Sequence, residues 1–272
     1  MIVFPNCKIN LGLNILCKRD DGFHDLESVF SPVRLYDVLE IVSTPNQTTQ
    51  LIVTGFPAGN PGDNLCMKAL CLLKKDYPQL PEVTMRLHKT IPPGAGLGGG
   101  SADAAFTLQL LDTKFKLAIS KKKIAEYALQ LGSDCPFFLV NKPCLATGRG
   151  EVLEPLNLAL SEYKILLIHP AIHVNTGEAF KQIEPGLPPK KIKEIIQQPI
   201  ETWKNELVND FEKIIFKEYP QVKQIKDTLY ETGAIYASMS GSGSTVYGIF
   251  KKDLIINYPS QPGYFYKIID MA

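Results

Sequence analysis

Hydrophobic and polar positions alternate in several segments of the chain, which is the pattern of half-buried strands. The predicted strands are NCKINLGLNIL, VLEIVST, TQLIVTG, EVTMRLHKT, KILLIHP and YFYKIID. The turn-rich stretch PNQT separates VLEIVST from TQLIVTG, so we expect those two strands to pair with each other. The stretch AIYASMSGSGSTVYGIF predicts two further strands joined as a hairpin.

Other segments show the spacing, capping residues and stop signals of helices. One helix is predicted to begin at Asp63 or Asn64 and to stop before Pro78. Two more are predicted at SADAAFTLQLLDTKF and at SKKKIAEYALQLG, the second of which ends on Gly132. The second half predicts three helices, near residues 175–183, 201–216 and 220–232. This order of strands and helices indicates an α+β protein.

The chain is long enough for two domains. Of its 272 residues, 45% are hydrophobic and 21% are charged, as in a globular protein with a packed core. The turn-rich segment ATGRGEVLEPLNLALSEY precedes a fresh apolar strand. We therefore expect a boundary near residue 155, with one domain over 1–155 and another over 156–272.

Charge and cysteine content limit the classes of partner. The net charge of +1 predicts no broad attraction to nucleic acid or to a membrane surface. The six cysteines include no CxxC pair and have the spacing of neither a zinc site nor a disulfide scaffold. We expect them to be reduced and mostly buried, as in a cytoplasmic protein. The N-terminus is a poor signal peptide, and no apolar run approaches the roughly 18 residues of a membrane span.

The segment KTIPPGAGLGGGSADAA, residues 89–105, places five glycines in seven positions immediately before a predicted helix. Glycine N–H groups can surround an anion because no Cβ obstructs them, and a helix N-terminus adds unpaired donors and a partial positive charge. Pro92 and Pro93 indicate a shaped entry rather than a flexible surface loop. The segment therefore predicts a phosphate-binding loop at the start of a helix.

Two familiar nucleotide motifs fit this loop less well. The glycines at 94, 96 and 99 match GxGxxG, but HKTIPP lies between the strand and the loop, and position 114 is lysine where an acidic residue is expected. The P-loop pattern requires Gly-Lys-Ser/Thr, whereas Ser101 follows Gly100 directly.

Three motifs together resemble the GHMP family of small-molecule kinases. They are PPGAGLGGGSADAA, the N-terminal CKINLGLNILCKRDDGFHDLESVF and the C-terminal MSGSGSTVYGIF, supported by LGSDCPFF and HPAIHVNTGEAF. The resemblance extends over nearly the whole chain. It implies a ribosomal protein S5 domain 2-like N-terminal domain, a ferredoxin-like C-terminal domain, and a site in the cleft between them. The DGFH segment narrows the match to members of the non-mevalonate isoprenoid route, whose acceptor is a cytidine diphosphate linked to a branched tetritol.

Two polar residues are the candidate catalytic pair. From the residues alone, the favoured interpretation of Asp134 in GSDCP is a helix N-cap, and that of Lys8 is a charge on an edge strand. The resemblance implies instead that Asp134 is the base that deprotonates the acceptor hydroxyl. It also implies that Lys8 pairs with Asp134 and holds the acceptor oxygen.

The resemblance also assigns the nucleotide. It implies that ATP, accompanied by Mg²⁺, binds to the residues Asn64, Lys89, Pro92, Pro93, Gly94, Ala95, Gly96, Leu97, Gly98, Gly99, Gly100, Ser101 and Ala102. Asn64 and Lys89 match positions near the adenine. Ser101 is a candidate ligand of Mg²⁺, and no tightly bound organic cofactor is expected. The loop from Ser240 to Ser244 is either a plain hairpin turn or a segment that orders the phosphates.

The remaining candidates concern the acceptor. Phe23 and Phe180 match positions that stack on the cytosine, although as isolated phenylalanines they would be assigned to core packing. His24 matches the residue that hydrogen-bonds the base, Asn10 one near the tetritol or phosphates, and Thr176 one near the cytidine. Phe23 stands where the family often has tyrosine.

The partner is thus expected to be a small molecule, with no nucleic acid or membrane, and the protein a monomer or weak homodimer. Three alternatives stay open. They are a kinase for another small alcohol such as homoserine or mevalonate, a catalytically silent sensor on the same scaffold, and a nicotinamide-dependent oxidoreductase.

Overall fold

A computed structural model describes residues 1–57 and 59–271. The chain forms two compact units, each assembled from separate stretches of sequence. Unit 1 contains Met1–Cys7, Leu35–Pro93 and Gly98–Asn141, and unit 2 contains Lys8–Arg34, Gly94–Leu97 and the chain from Lys142 onward. The division of the chain near residue 155 stays a prediction.

Unit 1 contains a four-stranded sheet whose order is β1-β4-β6-β5. Its strands are β1 (Ile2–Val3), β4 (Val38–Ser43), β5 (Gln50–Gly55) and β6 (Val83–Lys89). β4 and β5 are both present, but the prediction that they pair is wrong, because β6 lies between them, antiparallel to β4 and parallel to β5. The connection from β5 to β6 contains a helix, which is how parallel neighbours are joined.

Besides the short 3-10 helix Pro61–Asp63, four α-helices accompany this sheet in the described part of unit 1. They are α1 (Leu65–Asp76), α2 (Gly99–Phe115), α3 (Lys121–Leu131) and α4 (Cys135–Val140). Side chains of the sheet and of the helices share one hydrophobic core, in which Leu39, Leu87, Leu70 and Leu108 are buried.

The predicted ends of the first helices are confirmed by their caps. Asn64 caps α1 through a hydrogen bond that its side chain accepts from the N–H of Cys66, at 2.9 Å. Ser120 caps α3 in the same way, and α3 ends at Gly132 as expected.

Most of the second sheet lies in unit 2, with the order β2-β3-β7-β8. Its strands are β2 (Asn6–Lys18), β3 (His24–Tyr36), β7 (Cys144–Thr147) and β8 (Val152–Pro155). The first ten residues of β2 are all buried, charged and polar side chains included. This strand therefore carries polar groups into the protein interior, where they require partners.

The third sheet is antiparallel and belongs to unit 2, with the order β10-β11-β9-β12. Its strands are β9 (Tyr163–His169), β10 (Tyr236–Met239), β11 (Val246–Lys251) and β12 (Phe265–Asp270). The helices of this unit are α5 (Thr176–Gln182), α6 (Ile192–Ile195), α7 (Trp203–Glu206), α8 (Glu212–Glu218) and α9 (Pro220–Glu231). One face of the sheet shares a core with α8 and α9, and the predicted hairpin of β10 and β11 is confirmed.

The single helix predicted over residues 201–216 is wrong. The chain leaves helical geometry at Leu207, and α8 starts only at Glu212. The intervening residues run beside β2, where Leu13 donates to the carbonyl of Val208 and accepts from the N–H of Asp210, both at 2.8 Å. The side chain of Asn209 donates to the carbonyls of Met239 and Gly241. These non-local hydrogen bonds outweigh the local helical pattern.

The state of the cysteines agrees with the expectation from the sequence. The six cysteines are free thiols, and four of them are buried. Over residues 1–57 and 59–271, no helix is both long and apolar enough to cross a membrane.

Candidate active site

The start of α2 presents main-chain donors without a side-chain cap. Gly98 occupies the N-cap position in the left-handed region, with φ of 69°, and has no side chain to cap the helix. The first intrahelical hydrogen bond is donated by the N–H of Ala102 to the carbonyl of Gly98. The N–H groups of residues 99–101 therefore have no intrahelical acceptor, which is the arrangement that binds anions.

The glycine loop before this helix is held by the loop over residues 240–245, within unit 2. Gly96 has φ of 78°, and a Cβ at this position would collide with the carbonyl oxygen of Ser240. The hydroxyl of Ser240 donates to the carbonyl of Gly96 at 2.8 Å, and the N–H of Thr245 donates to the carbonyl of Ala95 at 3.3 Å. The loop between β10 and β11 is thus more than a hairpin turn, because it fixes part of the glycine loop.

Lys8 and Asn10 form a buried polar network on β2. The ammonium of Lys8 donates to Oδ1 of Asn10 at 2.5 Å and lies 4.6 Å from the centre of the Phe30 ring. The side-chain amide of Asn10 donates to the hydroxyl of Ser28 at 2.9 Å. The main-chain N–H of Asn10 donates to the hydroxyl of Ser240, at 3.3 Å.

This network excludes the edge-strand interpretation of Lys8. β2 is an outer strand of its sheet, but Lys8 is only 3% exposed, so its charge does not face solvent as an aggregation guard would. The N–H of Lys8 donates to the carbonyl of Leu97 at 2.9 Å, which occupies the strand edge beside the glycine loop. Lys8 is therefore fixed next to the last residue of the 94–97 segment.

Lys89 forms a buried ion cluster with two carboxylates in unit 1. Its ammonium lies 2.7 Å from Oδ2 of Asp103 and is also hydrogen-bonded to Asp37. Asp37 accepts in addition from the N–H groups of Thr90 and Ile91, at 2.6 and 2.9 Å. The cluster therefore joins the residues just before Pro92 to α2, which carries Asp103.

The electrostatics of the cluster are asymmetric. Burial, reinforced by the charge of Asp37, raises the pKa of Asp103 to about 7, and its Oδ1 atom is buried without a hydrogen-bond partner in the described chain. Burial acts to lower the pKa of Lys89, but the two carboxylates outweigh it and the pKa is raised. Lys89 is accordingly charged, and its ammonium is committed to the cluster.

Asp134 lies in unit 1, at the start of α4. It occupies the N-cap position, and Pro136 follows within the first turn, but its side chain makes no capping hydrogen bond. The simple helix-cap interpretation therefore does not account for this carboxylate. Lys8 belongs to unit 2, so the pairing of Lys8 with Asp134 stays a prediction.

The aromatic candidates for the acceptor lie together in unit 2. The His24 and Phe180 rings are stacked, with centroids 5.2 Å apart and an angle of 20°, and Phe180 meets Phe211 edge-on at 4.9 Å. Burial and the nearby charge of Lys18 lower the pKa of His24. His24 is therefore neutral at pH 7, with one ring nitrogen donating and the other accepting.

The other acceptor candidates lie at the protein surface. Phe23 is 50% exposed, and the guanidinium of Arg149 lies 4.4 Å from the centre of its ring. The hydroxyls of Thr176 and Ser242 are hydrogen-bonded to each other at 2.8 Å, where Thr176 is exposed and Ser242 is partly exposed. This bond links the start of α5 to the Ser240–Ser244 loop.

Sequence reasoning missed the contacts of Asp37 and Asp103 with Lys89, and of Arg149 with the Phe23 ring. Asp37 lies between apolar residues in the segment LYDVL, which is a weak signal of a buried partner. Arg149 lies between two glycines in a turn, where arginine is ordinarily solvated. The described residues contain no cluster of three or more His, Cys, Asp or Glu side chains able to hold a metal ion.

Comparison with known proteins agrees with this geometry. A family model described as GHMP kinases N terminal domain matches residues 64–142, and one described as GHMP kinases C terminal matches residues 191–257. The first match contains the glycine loop and Asp134, and the second contains the Ser240–Ser244 loop. The fold and the loop geometry thus define a GHMP-type kinase.

Relatives narrow the comparison within that class. A 4-diphosphocytidyl-2-C-methyl-D-erythritol kinase of Azobacteroides pseudotrichonymphae genomovar. CFP2 is 52% identical, over 93% of this chain and 94% of its own. The enzyme of that name from Bacteroides fragilis (strain YCH46) is 50% identical over 93% of each chain. A crystal structure of 4-(cytidine 5'-diphospho)-2C-methyl-D-erythritol kinase superimposes with a TM-score of 0.78 at 31% identity, covering 91% of this chain and 89% of the other. The chain belongs to the 4-diphosphocytidyl-2-C-methyl-D-erythritol kinase family of the GHMP kinases.

Proposed function

We propose that this protein transfers the γ-phosphoryl group of ATP to a hydroxyl of 4-diphosphocytidyl-2-C-methyl-D-erythritol, in the non-mevalonate route to isoprenoid precursors. The family implies the 2-hydroxyl as the acceptor. The observation that carries the proposal is 52% identity over 93% of the chain with a relative of that name. A catalytically silent sensor is disfavoured by the presence of both Lys8 and Asp134.

ATP binds along residues 92–102, with its phosphates on the uncapped N–H groups at the start of α2. Phosphates at this position gain from both the free donors and the helix dipole. Asn64 and Lys89 lie toward the adenine. Since the ammonium of Lys89 is committed to Asp37 and Asp103, Lys89 serves the nucleotide by fixing the chain that enters the loop.

Mg²⁺ accompanies the nucleotide and neutralises charge on its phosphates. Mg²⁺ is commonly held by one or two protein groups and by substrate phosphates. Ser101, within the first turn of α2, is the candidate protein ligand.

The chemical step requires a base, an electrophile held in line and stabilisation of negative charge. Asp134 accepts the proton of the acceptor hydroxyl while that oxygen attacks the γ-phosphorus. The bond between the γ-phosphorus and the bridging oxygen of ADP breaks, and ADP leaves with the electron pair. The ammonium of Lys8 stabilises the acceptor oxygen as its negative charge develops.

The acceptor binds through its cytidine. Phe23 and Phe180 offer flat apolar surfaces to the base, and His24 pairs with its polar edge. Asn10 lies toward the tetritol hydroxyls or phosphates, and Thr176 toward the cytidine. We propose a cytoplasmic enzyme that acts as a monomer or weak homodimer, without nucleic acid or membrane partners.

The proposal is tested by coupling ADP release to a spectroscopic readout with the cytidine diphosphate tetritol as acceptor. Turnover is expected with this compound and not with homoserine or mevalonate. Asp134→Asn should lower kcat by a factor of about 10² to 10⁴, the range typical of a general base. Asp227→Asn changes an exposed carboxylate that pairs with Lys223 and is the matched control. Turnover of homoserine or mevalonate alone would overturn the acceptor, and near-full turnover of Asp134→Asn would overturn the base.

A further inference from the structure

We propose that Arg149 determines specificity for the diphosphate of the acceptor, by donating to its phosphate oxygens while covering one face of the Phe23 ring. This inference rests on the proposed function. The other residues proposed to contact the cytidine provide aromatic rings, a hydroxyl and a neutral imidazole. Arg149 would add a positive charge to this set.

The turn that carries Arg149 is fixed beside the strand that carries His24. It joins β7 to β8, and the carbonyl of Gly148 accepts a hydrogen bond of 2.7 Å from the N–H of Leu26 on β3. Within the turn, the N–H of Arg149 donates to Oε2 of Glu151 at 2.6 Å. The backbone at Gly148 and Arg149 is therefore anchored both to β3 and within the turn.

The side chain of Arg149 lies against the Phe23 ring. The guanidinium carbon is 4.4 Å from the ring centre, and the Arg149 side chain is 25% exposed. A guanidinium over an aromatic face is attracted by the ring quadrupole. Because the guanidinium is planar, it can stack on the ring while its N–H groups still point outward to other acceptors. Phe23 remains half exposed, which leaves ring surface for a flat base.

The donors of Arg149 are available to a ligand. The guanidinium of Arg149 forms an ion pair with Glu151, whose Oε1 lies 3.7 Å from Nε, but across residues 1–57 and 59–271 it donates no hydrogen bond to a side chain or carbonyl. The nearby Arg19 differs, because its guanidinium donates to Asp21 and Asp25 at 2.8 to 3.1 Å. Arg149 thus keeps its donors beside the aromatic group, while those of Arg19 are occupied.

The chemistry of the acceptor supplies a matching group. A diphosphate is separated from its base by one ribose, so a cation beside the stacking ring can reach the phosphates of a nucleotide whose base lies there. Guanidinium binds phosphate oxygens through two parallel hydrogen bonds. Lys8, a buried cation of the same unit, is already hydrogen-bonded to Asn10.

The test compares binding of cytidine, CMP and CDP to the wild-type protein and to Arg149→Gln and Arg149→Lys, by titration calorimetry, together with steady-state kinetics. Arg149→Gln should raise the Kd for CDP and the KM for the acceptor about tenfold, as loss of a charged hydrogen bond does. The Kd for cytidine, kcat and the KM for ATP should stay within about twofold. Arg149→Lys should be intermediate, since it keeps the charge and loses the planar fork.

Arg86→Gln is the control, because it removes the same charge from an exposed side chain that pairs with Glu40 in unit 1. If Arg149→Gln lost affinity for cytidine and for CDP equally, the guanidinium would act through the ring alone, and the inference would be overturned. Unchanged affinity for CDP would overturn it as well. A wild-type protein that binds CDP through Arg149 yet fails to phosphorylate the tetritol would refute the proposed function and leave the Arg149 assignment standing.

Discussion

The ammonium of Lys8 donates to Oδ1 of Asn10 at 2.5 Å, two residues along the same buried strand. Both side chains point to the same face because successive residues of a strand alternate. Asn10 is held from its other side by Ser28 and Ser240, so it fixes the direction of the Lys8 ammonium. The ammonium of Lys8, the proposed catalytic cation, is thereby held in one direction within the protein.

Lys8→Met should therefore separate catalysis from stability. Methionine fills similar volume without charge, and removing one pre-oriented donor of a transition state lowers kcat by about 10² to 10³. The free energy of unfolding should fall by only about 1–3 kcal/mol, because Oδ1 of Asn10 loses a hydrogen-bond donor. The measurements are turnover with saturating ATP and acceptor, and thermal unfolding. Turnover near that of the wild type would contradict the assignment of Lys8.

Gly96→Ala should weaken ATP binding more than an equivalent change elsewhere. The new Cβ would collide with the Ser240 carbonyl, and a left-handed φ costs an alanine about 1 kcal/mol in addition. We expect an increase of the KM for ATP and a lower free energy of unfolding in urea. Gly263→Ala is the matched control, since Gly263 has φ of 82° and open space around it. Equal effects of the two substitutions would refute a role for the Gly96 contact.

Several elements of the fold were predictable because their signals are local. Asn64 as a cap and Gly132 as a stop act within a few residues, and the structure confirms both helices. The break between Leu207 and Glu212 was not predictable, because hydrogen bonds to Leu13 and to the chain after β10 create it. The same holds for β6, whose place between β4 and β5 depends on the core rather than on the turn between them.

In the candidate site, too, the local features were predictable from the sequence and the non-local contacts were not. The glycine loop and its flanking residues are contiguous in sequence, so a motif identifies them. Asp37 and Arg149 are of interest because they contact Lys89 and Phe23 respectively, which lie far away along the chain. A single sequence contains no signal for such contacts beyond an acid or a base in an unusual neighbourhood.

Asp103→Asn should change the dependence of stability on pH. The folded pKa of Asp103, about 7, lies above its ordinary value of 3.8, so the folded protein holds this proton more tightly than the unfolded chain does. The contribution of this group to stability is therefore present at low pH and is lost as the pH rises toward 7. Each pKa unit corresponds to about 1.4 kcal/mol.

Urea unfolding of the wild type and of Asp103→Asn at pH 5 and pH 8 provides the measurement. The free energy of unfolding of Asp103→Asn, relative to that of the wild type, should be higher at pH 8 than at pH 5. Asp37→Asn is the contrasting variant, because Asp37 accepts from Lys89, Thr90 and Ile91 and its loss should destabilise by about 3–5 kcal/mol. A pH-independent difference for Asp103→Asn would show that Asp103 is ionised throughout this range.

The neutral state of His24 predicts how acceptor binding depends on pH. Burial first and the charge of Lys18 second hold the pKa of His24 below its ordinary value of 6.5, so above pH 7 the imidazole both donates and accepts. Protonation removes the acceptor nitrogen that the amino group of cytosine requires. The KM for the acceptor should therefore be constant from pH 7 to pH 9 and rise as the pH falls through the pKa of His24. In His24→Gln, which donates and accepts without titrating, this rise should disappear while the KM for ATP keeps its wild-type pH profile. A rise of equal size in both proteins would place the titrating group elsewhere and remove His24 from the recognition of the base.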